Sequence, residues 1–130
     1  MADIRFTAYG KVVGKARARV TRYGTYTPKS TREYEALVRK AFKESGCGKL
    51  EGELAMRLDV YRKLPKSRPK KLQSEPDTFK PDATNITKAV EDALNGLAYD
   101  DDAQITLSVC DKHPRTRIDE ERVEVVISTR

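Results

Sequence analysis

The chain has 130 residues, 35% of them charged, with a formal net charge of +6 and a pI near 9.4. That length suits one domain with one core, and with neither an apolar run of roughly 20 residues nor a secretion signal we expect no membrane or exported protein. The positive charge favours a polyanionic partner, nucleic acid above all. We therefore expect a single domain over residues 1–130 that works in the cytoplasm, with Cys47 and Cys110 as reduced thiols; a disulfide between them is the alternative.

The N-terminal part predicts a strand followed by a basic strip. Apolar residues alternate with polar ones through "IRFTAYG", which is typical of a strand with one covered face. Basic residues then recur at period two, which puts them on one face of an extended chain. They are candidates for phosphate contacts, and an ordinary solvated strand is the alternative. These residues are Lys15, Arg17 and Arg19, with Lys11 just before them.

A helix, a strand and a basic loop follow. "KSTREYEALVRKAFKESG" has apolar residues at helical spacing, with Ser30 or Thr31 as the expected cap and Gly46 or Gly48 as the expected end. The alternation in "GELAMRLDVYRKL" predicts a strand covered on one side. Residues 65–81 contain several prolines and no periodicity, so we expect a mobile loop. The basic residues of this loop are candidates for contacts with DNA phosphates, and a flexible connector is the alternative. These residues are Lys66, Arg68, Lys70 and Lys71.

The segment "TNITKAVEDALNGL" predicts a second helix with one apolar and one polar face. Its apolar residues repeat at about 100° per residue and are expected to face the core. We expect Thr84 to cap this helix and Asn95 with Gly96 to close it. The polar stripe on the opposite side contains Asn85, Lys88, Asp92 and Asn95, with Thr84 and Glu91 beside it.

Carboxylates stand at both ends of this second helix. Asp82 comes just before it, where free backbone N–H groups favour an anion. Asp100, Asp101 and Asp102 follow it, and successive residues of an extended segment point to opposite sides. One metal ion would therefore recruit one or two of the three. The alternative is that Asp82 is only a helix cap and the three aspartates form a solvated turn.

Two strands complete the pattern. Apolar residues alternate with polar ones in "QITLSVC" and again in "RVEVVIS". The order strand, helix, strand, loop, helix, strand, strand is neither strictly alternating nor segregated. It predicts an α+β fold with two layers, a mixed sheet of about four strands and two main helices.

The stretch "KPDATNITKAVEDALNGLAYDDDAQI", residues 80–105, resembles the core signature of the RusA family of Holliday junction resolvases. In that family a lysine, Pro-Asp-x-Asp-Asn, a lysine three residues further, an Asp-Ala-Leu helix and a downstream Asp-Asp-x-Gln follow in this order at nearly this spacing. The stretch "YTPKSTREYE", the lysine- and proline-rich loop and the last two strands also resemble family members.

The resemblance implies roles for the residues of this motif. By position, the matches are Asp82 for the first motif aspartate, Asn85 for the asparagine, Lys88 for the catalytic lysine, and Asp101 with Asp102 for the downstream pair. Thr84 stands where the family has its second aspartate, so a neutral hydroxyl replaces a carboxylate. Glu91, two helical turns further on the same side, is a candidate to return that carboxylate.

The resemblance implies a Mg²⁺-dependent endodeoxyribonuclease, with Mn²⁺ as the alternative ion, that resolves four-way DNA junctions by paired nicks in recombination and repair. Asp82, Asp101, Asp102 and Glu91 would bind metal, and Lys88 would neutralise charge on the scissile phosphate. The family works as a homodimer on branched DNA, often in phages or prophages, which implies the cytoplasm of a bacterium or phage-infected cell. The alternatives are a junction-binding or nucleic-acid-binding protein whose catalytic centre has decayed at Thr84, and a basic structural protein.

Overall fold

The computed structural model describes residues 3–16, 19–22, 24–26 and 28–130. The elements in chain order are β1 (Asp3–Tyr9), β2 (Arg19–Thr21), β3 (Gly24–Tyr26), α1 (Lys29–Glu44), β4 (Leu54–Tyr61), β5 (Ser74–Glu75), α2 (Ala83–Leu94), a 3₁₀ helix (Asp102–Gln104), β6 (Ile105–Lys112), β7 (Arg115–Thr116) and β8 (Arg122–Thr129). The expected α+β fold with two main helices and a mixed four-stranded sheet is confirmed. Within the described residues, neither helix is long and apolar enough to cross a bilayer.

The main sheet has the strand order β1-β8-β4-β6. β8 pairs antiparallel with β1 and β4, whereas β4 and β6 run parallel. Because side chains alternate along a strand, one face of β4 buries Leu54, Met56, Leu58 and Val60 while Arg57 on the other face is exposed. Helix α1 packs beside β1 and helix α2 beside β6, over this buried face. In the described part of the chain, the other face of the sheet carries no helix.

Strand β6 differs from the other long strands because its apolar residues Leu107 and Val109 are exposed. Its predicted apolar alternation correctly indicates a strand, but Leu107 and Val109 are 46% and 38% exposed. They pair with outward-facing residues of β4, so they lie on the helix-free side of the sheet. Ser108 and Cys110 alternate with them and face α2. The polar stripe of α2 therefore lies over small, polar side chains of β6.

The start of α1 departs from the expected capping. The N-cap is Pro28, with no side-chain cap hydrogen bond, so the expectation that Ser30 or Thr31 caps the helix is wrong. Thr31 is buried in the first turn instead, and its hydroxyl accepts a hydrogen bond from the Ala16 N–H at 3.3 Å. The Thr31 hydroxyl thus makes a tertiary contact in place of the helix cap that the local pattern predicts. Gly46, with φ of +74°, follows the helix end as predicted.

The connection over residues 65–81, for which the sequence predicts a mobile loop, is bound to the segment before β8. β5 pairs antiparallel with β7 across this gap in sequence. The Arg117 guanidinium donates to the carbonyl oxygens of Pro69 and Leu72, at 2.6 and 2.8 Å. Buried Arg115 also forms an ion pair with Glu75. Because these partners stand far apart along the chain, periodicity in the loop itself cannot reveal them.

Candidate active site

The polar stripe of α2 borders an open cleft between the helix and strand β6. The helix turns its opposite side to the core, where Ile86, Ala89, Val90, Ala93 and Leu94 are buried. The cleft has a volume of about 380 Å³. Its lining includes Thr84, Lys88 and Glu91 from the helix and Ser108 and Cys110 from the strand. Both cysteines of the chain are free thiols, as expected.

Asp82 is the N-cap of α2. Its backbone is extended, and its Oδ1 accepts a hydrogen bond from the Asn85 N–H at 2.8 Å. The expectation that Thr84 caps the helix is therefore wrong, because the cap falls two residues earlier and Thr84 lies in the first turn, beside the cleft. Lys88 follows Asp82 by six residues, which corresponds to about 9 Å along a helix axis. Asp82 thus stands at the end of the stripe where the helix begins.

Lys88 belongs to a chain of alternating charges. Its Nζ lies 3.3 Å from Oδ1 of Asp92 and 3.6 Å from Oδ2 of Asp102. The hydrogen bond to Asp92 and the charge of that residue raise the pKa of Lys88, so the ammonium form is favoured. Asp92 also pairs with Lys15 at 3.1 Å, and Lys15 in turn binds Glu35 at 2.9 Å. The chain of charges joins both helices, the N-terminal segment and the turn before β6.

The three aspartates after α2 have three different partners. Asp100 pairs with Lys49 at 2.7 Å. Asp101 caps the 3₁₀ helix with its side chain. Asp102 is directed at α2, where its carboxylate faces Lys88. As expected for successive residues, the three carboxylates have separate surroundings, and Asp102 is the one that contacts a residue of the cleft lining, Lys88.

Glu91 adds a second carboxylate to the neighbourhood of Asp102. The Glu91 carboxyl is half-buried, and burial together with the negative charge of Asp102 raises its pKa. The buried Tyr99 hydroxyl donates to the Glu91 carbonyl oxygen at 2.8 Å and fixes the backbone at this point. Two carboxylates that repel each other beside an open cleft fit a hard divalent cation, which would neutralise both. Carboxylate is the ligand type that Mg²⁺ and Mn²⁺ prefer, but in the part of the chain that the structure describes, Asp82, Glu91 and Asp102 do not form a group with ligand atoms within 4.8 Å of one another.

A different acidic group lies on the helix-free face of the sheet. Among the described residues, Asp59, Asp111 and His113 form the one group of three or more possible metal ligands whose atoms lie within 4.8 Å of one another. The Arg57 guanidinium already bridges its carboxylates, at 2.9 Å from Asp59 and 3.3 Å from Asp111. This group thus has a cation partner, and the sheet separates it from the α2 cleft.

The basic residues predicted to contact phosphates have different surroundings. Arg68 pairs with Glu75 at 2.9 Å, and the Lys15 ammonium is engaged by the carboxylates of α1 and α2. Arg17 lies outside the described residues, and for Arg19 the structure describes only the backbone, in β2. The lysines of the set that are exposed are Lys11, Lys66, Lys70 and Lys71.

Two residues near the cleft received no role from sequence reasoning. Asp92 stands four residues after Lys88, and that helical spacing is a signal for an ion pair that could have identified it. Lys112 gave no such signal, because its Nζ binds the carbonyl oxygens of Phe79 and Pro81, 33 and 31 residues away. Contacts of that range exist only in the folded chain.

Two comparisons with known proteins match nearly the whole chain. A family model described as "Endodeoxyribonuclease RusA" matches residues 9–128. A protein of Bacillus subtilis (strain 168), named "Uncharacterized protein YqaN", is 35% identical over 142 residues, which cover 98% of this chain and 96% of that protein. The family match includes both helices, the cleft between α2 and β6, and the basic connection over residues 65–81.

Proposed function

The chain belongs to the RusA endodeoxyribonuclease family, and on that premise we propose that it is a metal-dependent endonuclease that resolves four-way DNA junctions by paired nicks in recombination or repair. The observation that carries the proposal is that Lys88 and Glu91 line one open cleft and that Asp102 pairs with Lys88 beside it. A cation and two carboxylates beside a space of about 380 Å³ suit a phosphodiester and a divalent ion. Because the substrate is DNA, the proposed place of action is the cytoplasm of a bacterium or phage-infected cell.

The charged residues in and beside the cleft have separate proposed parts in this chemistry. A bound Mg²⁺ or Mn²⁺ supplies a Lewis acid for a phosphate oxygen and a more acidic water. Asp82, Glu91 and Asp102 are proposed to hold the ion, with Asp101 assisting from the turn. Lys88 is proposed to neutralise the charge that develops on the scissile phosphate, a contribution typically of about 100- to 1,000-fold in rate for one well-placed donor.

Thr84 bears directly on how the ion is held. A hydroxyl carries no charge, so this position contributes less to cation binding than the aspartate of the family signature. Glu91 lines the same cleft, and its pKa is raised by burial and by Asp102. A cation between these two carboxylates would relieve their repulsion. We therefore propose that Glu91 supplies the carboxylate that Thr84 lacks.

The acidic cleft repels DNA unless cations elsewhere attract the backbone. Three exposed lysines in the first part of the connection over residues 65–81 are proposed to do this, because Arg117 binds carbonyl oxygens of that part and so holds the lysines in place. These lysines are Lys66, Lys70 and Lys71, and Lys11 is proposed to act with them. We also propose a homodimer, since two-fold symmetry gives two equivalent sites for paired nicks.

A second candidate function follows from two observations at the start of α2. Thr84 replaces a family aspartate, and the Asp82 carboxylate is engaged in capping the helix. Both features reduce the carboxylates available for metal. The candidate is a protein that binds junctions and has lost cleavage.

The test is nicking of a synthetic four-way junction in Mg²⁺ by the wild type, Asp82→Asn and Thr84→Asp. We expect paired nicks from the wild type, none from Asp82→Asn, and nicking at lower Mg²⁺ concentration from Thr84→Asp. A wild type that retards the junction in a gel but leaves it uncut would support the binding function instead. A linear duplex of the same sequence is the control, and equal cutting of both substrates would reject selectivity for junctions.

A further inference from the structure

We propose that Lys112, supported by the buried carboxylate of Asp77, is a positioning residue of the cleft, because it fixes the backbone that presents Asp82. The inference rests on the proposed function, in which Asp82 helps to hold the divalent ion. Lys112 lies at the far end of β6 from Asp102, and its side chain reaches the segment that leads into α2.

The Lys112 ammonium is largely enclosed, with 13% of its side chain exposed. Its Nζ donates to the carbonyl oxygen of Phe79 at 2.6 Å and to that of Pro81 at 2.9 Å, and it lies 3.8 Å from Oδ1 of Asp77. An ammonium has three N–H donors; two of them bind these carbonyl oxygens, and the Asp77 carboxylate adds an ion pair at a distance too long for a hydrogen bond. The carbonyl of Pro81 belongs to the same planar peptide unit as the N–H of Asp82. By holding that carbonyl, Lys112 sets the direction in which the chain enters Asp82.

Asp77 ties this arrangement to the sheet. Its side chain is fully buried, and its two oxygens accept from Nη1 of Arg62 at 3.1 and 3.3 Å. The Phe79 N–H also donates to Oδ1 at 3.4 Å. A buried carboxylate requires such partners, because removing its charge from water without them costs several kcal/mol, roughly. Arg62 directly follows β4, so the turn at Phe79 is anchored to the central part of the fold.

Asp82 is thereby constrained from both sides. On its C-terminal side it caps α2 through the Asn85 N–H. On its N-terminal side Lys112 holds Pro81. Gly14 closes the same corner, because a Cβ at that position would lie 2.7 Å from Cβ of Pro81 and 3.0 Å from Cβ of Asn85. Three separate parts of the chain therefore define where an exposed carboxylate stands.

Strand β6 links the two ends of the cleft. The 3₁₀ helix that contains Asp102 leads directly into β6, and Lys112 is the last residue of the strand. After a register shift at its start, the strand is paired with β4 from Leu107 to Lys112, which keeps this part extended. If Lys112 lost its contacts, Asp102 would keep its place while the Asp82 segment would be less restrained. The expected consequence is weaker metal binding, not a general loss of structure.

The test compares Lys112→Met with Lys40→Met. Methionine has nearly the length of lysine but no N–H donors, and Asp77 keeps Arg62 as its partner. Lys40 is an exposed lysine on α1 with a weak ion pair to Glu44 at 3.9 Å, so its replacement is a matched control. Lys112→Gln, which retains an N–H donor, is the second variant and keeps the test valid if Lys112→Met folds poorly.

Three measurements are made on each protein: Mg²⁺-dependent nicking, junction affinity in Ca²⁺, and hydrogen exchange of the amides at Thr78, Phe79 and Asn85. For Lys112→Met we expect kcat to fall about 10- to 100-fold and the half-saturating Mg²⁺ concentration to rise, as is typical when a partner behind a metal ligand is lost. Junction affinity should stay within about twofold, because this enclosed lysine is not exposed to DNA phosphates. Exchange at the three amides should become faster, and Lys112→Gln should fall between the two extremes.

A purely structural role predicts a different result. If Lys112→Met lowers only the melting temperature, while Mg²⁺ half-saturation and exchange at the three amides match those of Lys40→Met, the inference is wrong. If the wild type nicks no junction, the proposed function fails. Mn²⁺ binding by the wild type and Lys112→Met then tests the positioning role of Lys112 separately. Weaker Mn²⁺ binding together with faster exchange in Lys112→Met would uphold the positioning role, and no change in either would reject it.

Discussion

Nζ of Lys88, which lines the cleft, lies 3.6 Å from Oδ2 of Asp102 in the 3₁₀ helix before β6. Asp92, one helical turn further along, holds the same ammonium at 3.3 Å. Lys88 is therefore shared by two carboxylates in the free protein. A divalent ion bound by Asp102 would weaken one of these attractions and leave the ammonium available to a phosphate.

Lys88→Met tests the role of this ammonium. The substitution keeps the length of the side chain and removes its charge, so nicking at saturating Mg²⁺ is expected to fall about 100- to 1,000-fold. Junction affinity in Ca²⁺, measured by gel shift, should change little, because the other cations remain. Lys88→Arg keeps a positive charge and should recover part of the rate. Nicking by Lys88→Met within threefold of the wild type, roughly, would exclude a direct role in the chemistry.

Asp82→Asn and Asp82→Ala separate capping from catalysis. Asparagine caps helices about as well as aspartate, so Asp82→Asn should change the free energy of unfolding by less than about 0.5 kcal/mol, whereas Asp82→Ala should lower it by about 1 kcal/mol. Both variants should lose Mg²⁺-dependent nicking, because both lack the carboxylate. Urea unfolding and junction nicking are measured side by side. An active Asp82→Asn protein would leave Asp82 with the cap as its only role.

Glu91→Gln tests the acidic side of the cleft without an activity assay. Burial and the charge of Asp102 raise the pKa of Glu91 above its ordinary value of 4.5. The folded state therefore takes up this proton more readily than the unfolded state, and the ionised carboxylate costs stability at neutral pH. Without metal, Glu91→Gln should melt at a higher temperature than the wild type at pH 7. The difference should shrink as the pH falls through the raised pKa toward 4.5.

Addition of Mg²⁺ distinguishes a metal ligand from a merely buried acid. A ligand that binds only the folded state raises the melting temperature. Mg²⁺ should therefore stabilise the wild type more than Glu91→Gln. Equal stabilisation of the two proteins would contradict the proposal that Glu91 supplies the carboxylate missing at Thr84. Asp100→Asn, outside the cleft, is the matched control for loss of one acidic charge.

Lys15→Met is expected to act on stability, not on DNA binding. Lys15 is 26% exposed and pairs with Glu35 and Asp92, whose side chains are 13% and 24% exposed. Hydrogen bonds to charged groups contribute about 1.5–3 kcal/mol, so the loss should lower the free energy of unfolding by about 2 kcal/mol. The salt dependence of junction binding should stay the same. A shallower salt dependence with unchanged stability would instead make Lys15 a phosphate contact.

Replacing Lys70 and Lys71 by Ala should leave stability unchanged and reduce the salt dependence of junction binding, the reverse of the result expected for Lys15→Met. Both lysines are exposed, so the free energy of unfolding should change little. Each phosphate contact contributes about 0.9 to the slope of log affinity against log salt concentration, so the double variant should bind with a slope smaller by up to about 1.8. Fluorescence anisotropy of a labelled junction across a salt series measures this. An unchanged slope would remove the connection over residues 65–81 from the DNA contact surface.

The local sequence pattern predicted structure correctly where burial depends mainly on residues nearby in the chain. The helical spacing from Ile86 to Leu94 gave the buried side of α2, and hence the stripe that carries Lys88 and Glu91. It did not locate the cap, because Asp82 and Thr84 both suit that position and the choice depends on where the preceding chain enters. In the same way Thr31 is used by the Ala16 N–H from another segment, which the sequence of α1 alone does not indicate.

The features of the site that could not be predicted from the sequence depend on contacts between segments far apart in the chain. Lys15 and Asp92 stand far apart in the chain and meet only because α1, α2 and the N-terminal segment pack together. The same holds for Lys112 with Pro81, and for Arg117 with Leu72. No periodic pattern or short motif in the sequence predicts such contacts. Three motif residues, Thr84, Lys88 and Glu91, line the cleft, whereas the contacts that hold the surrounding segments together form only in the folded chain.

The fixed length of β6 has a consequence for which sequence changes this site can accept. Side chains alternate between the two faces of a strand, so one residue inserted or deleted in the regularly paired part, between Leu107 and Lys112, would turn every later side chain to the opposite face. The ammonium would then emerge on the helix-free side, away from the carbonyls that it now binds. Point replacements within the strand leave this alternation intact. Related chains that keep the cleft should therefore vary in the identity of residues along this strand but not in their number.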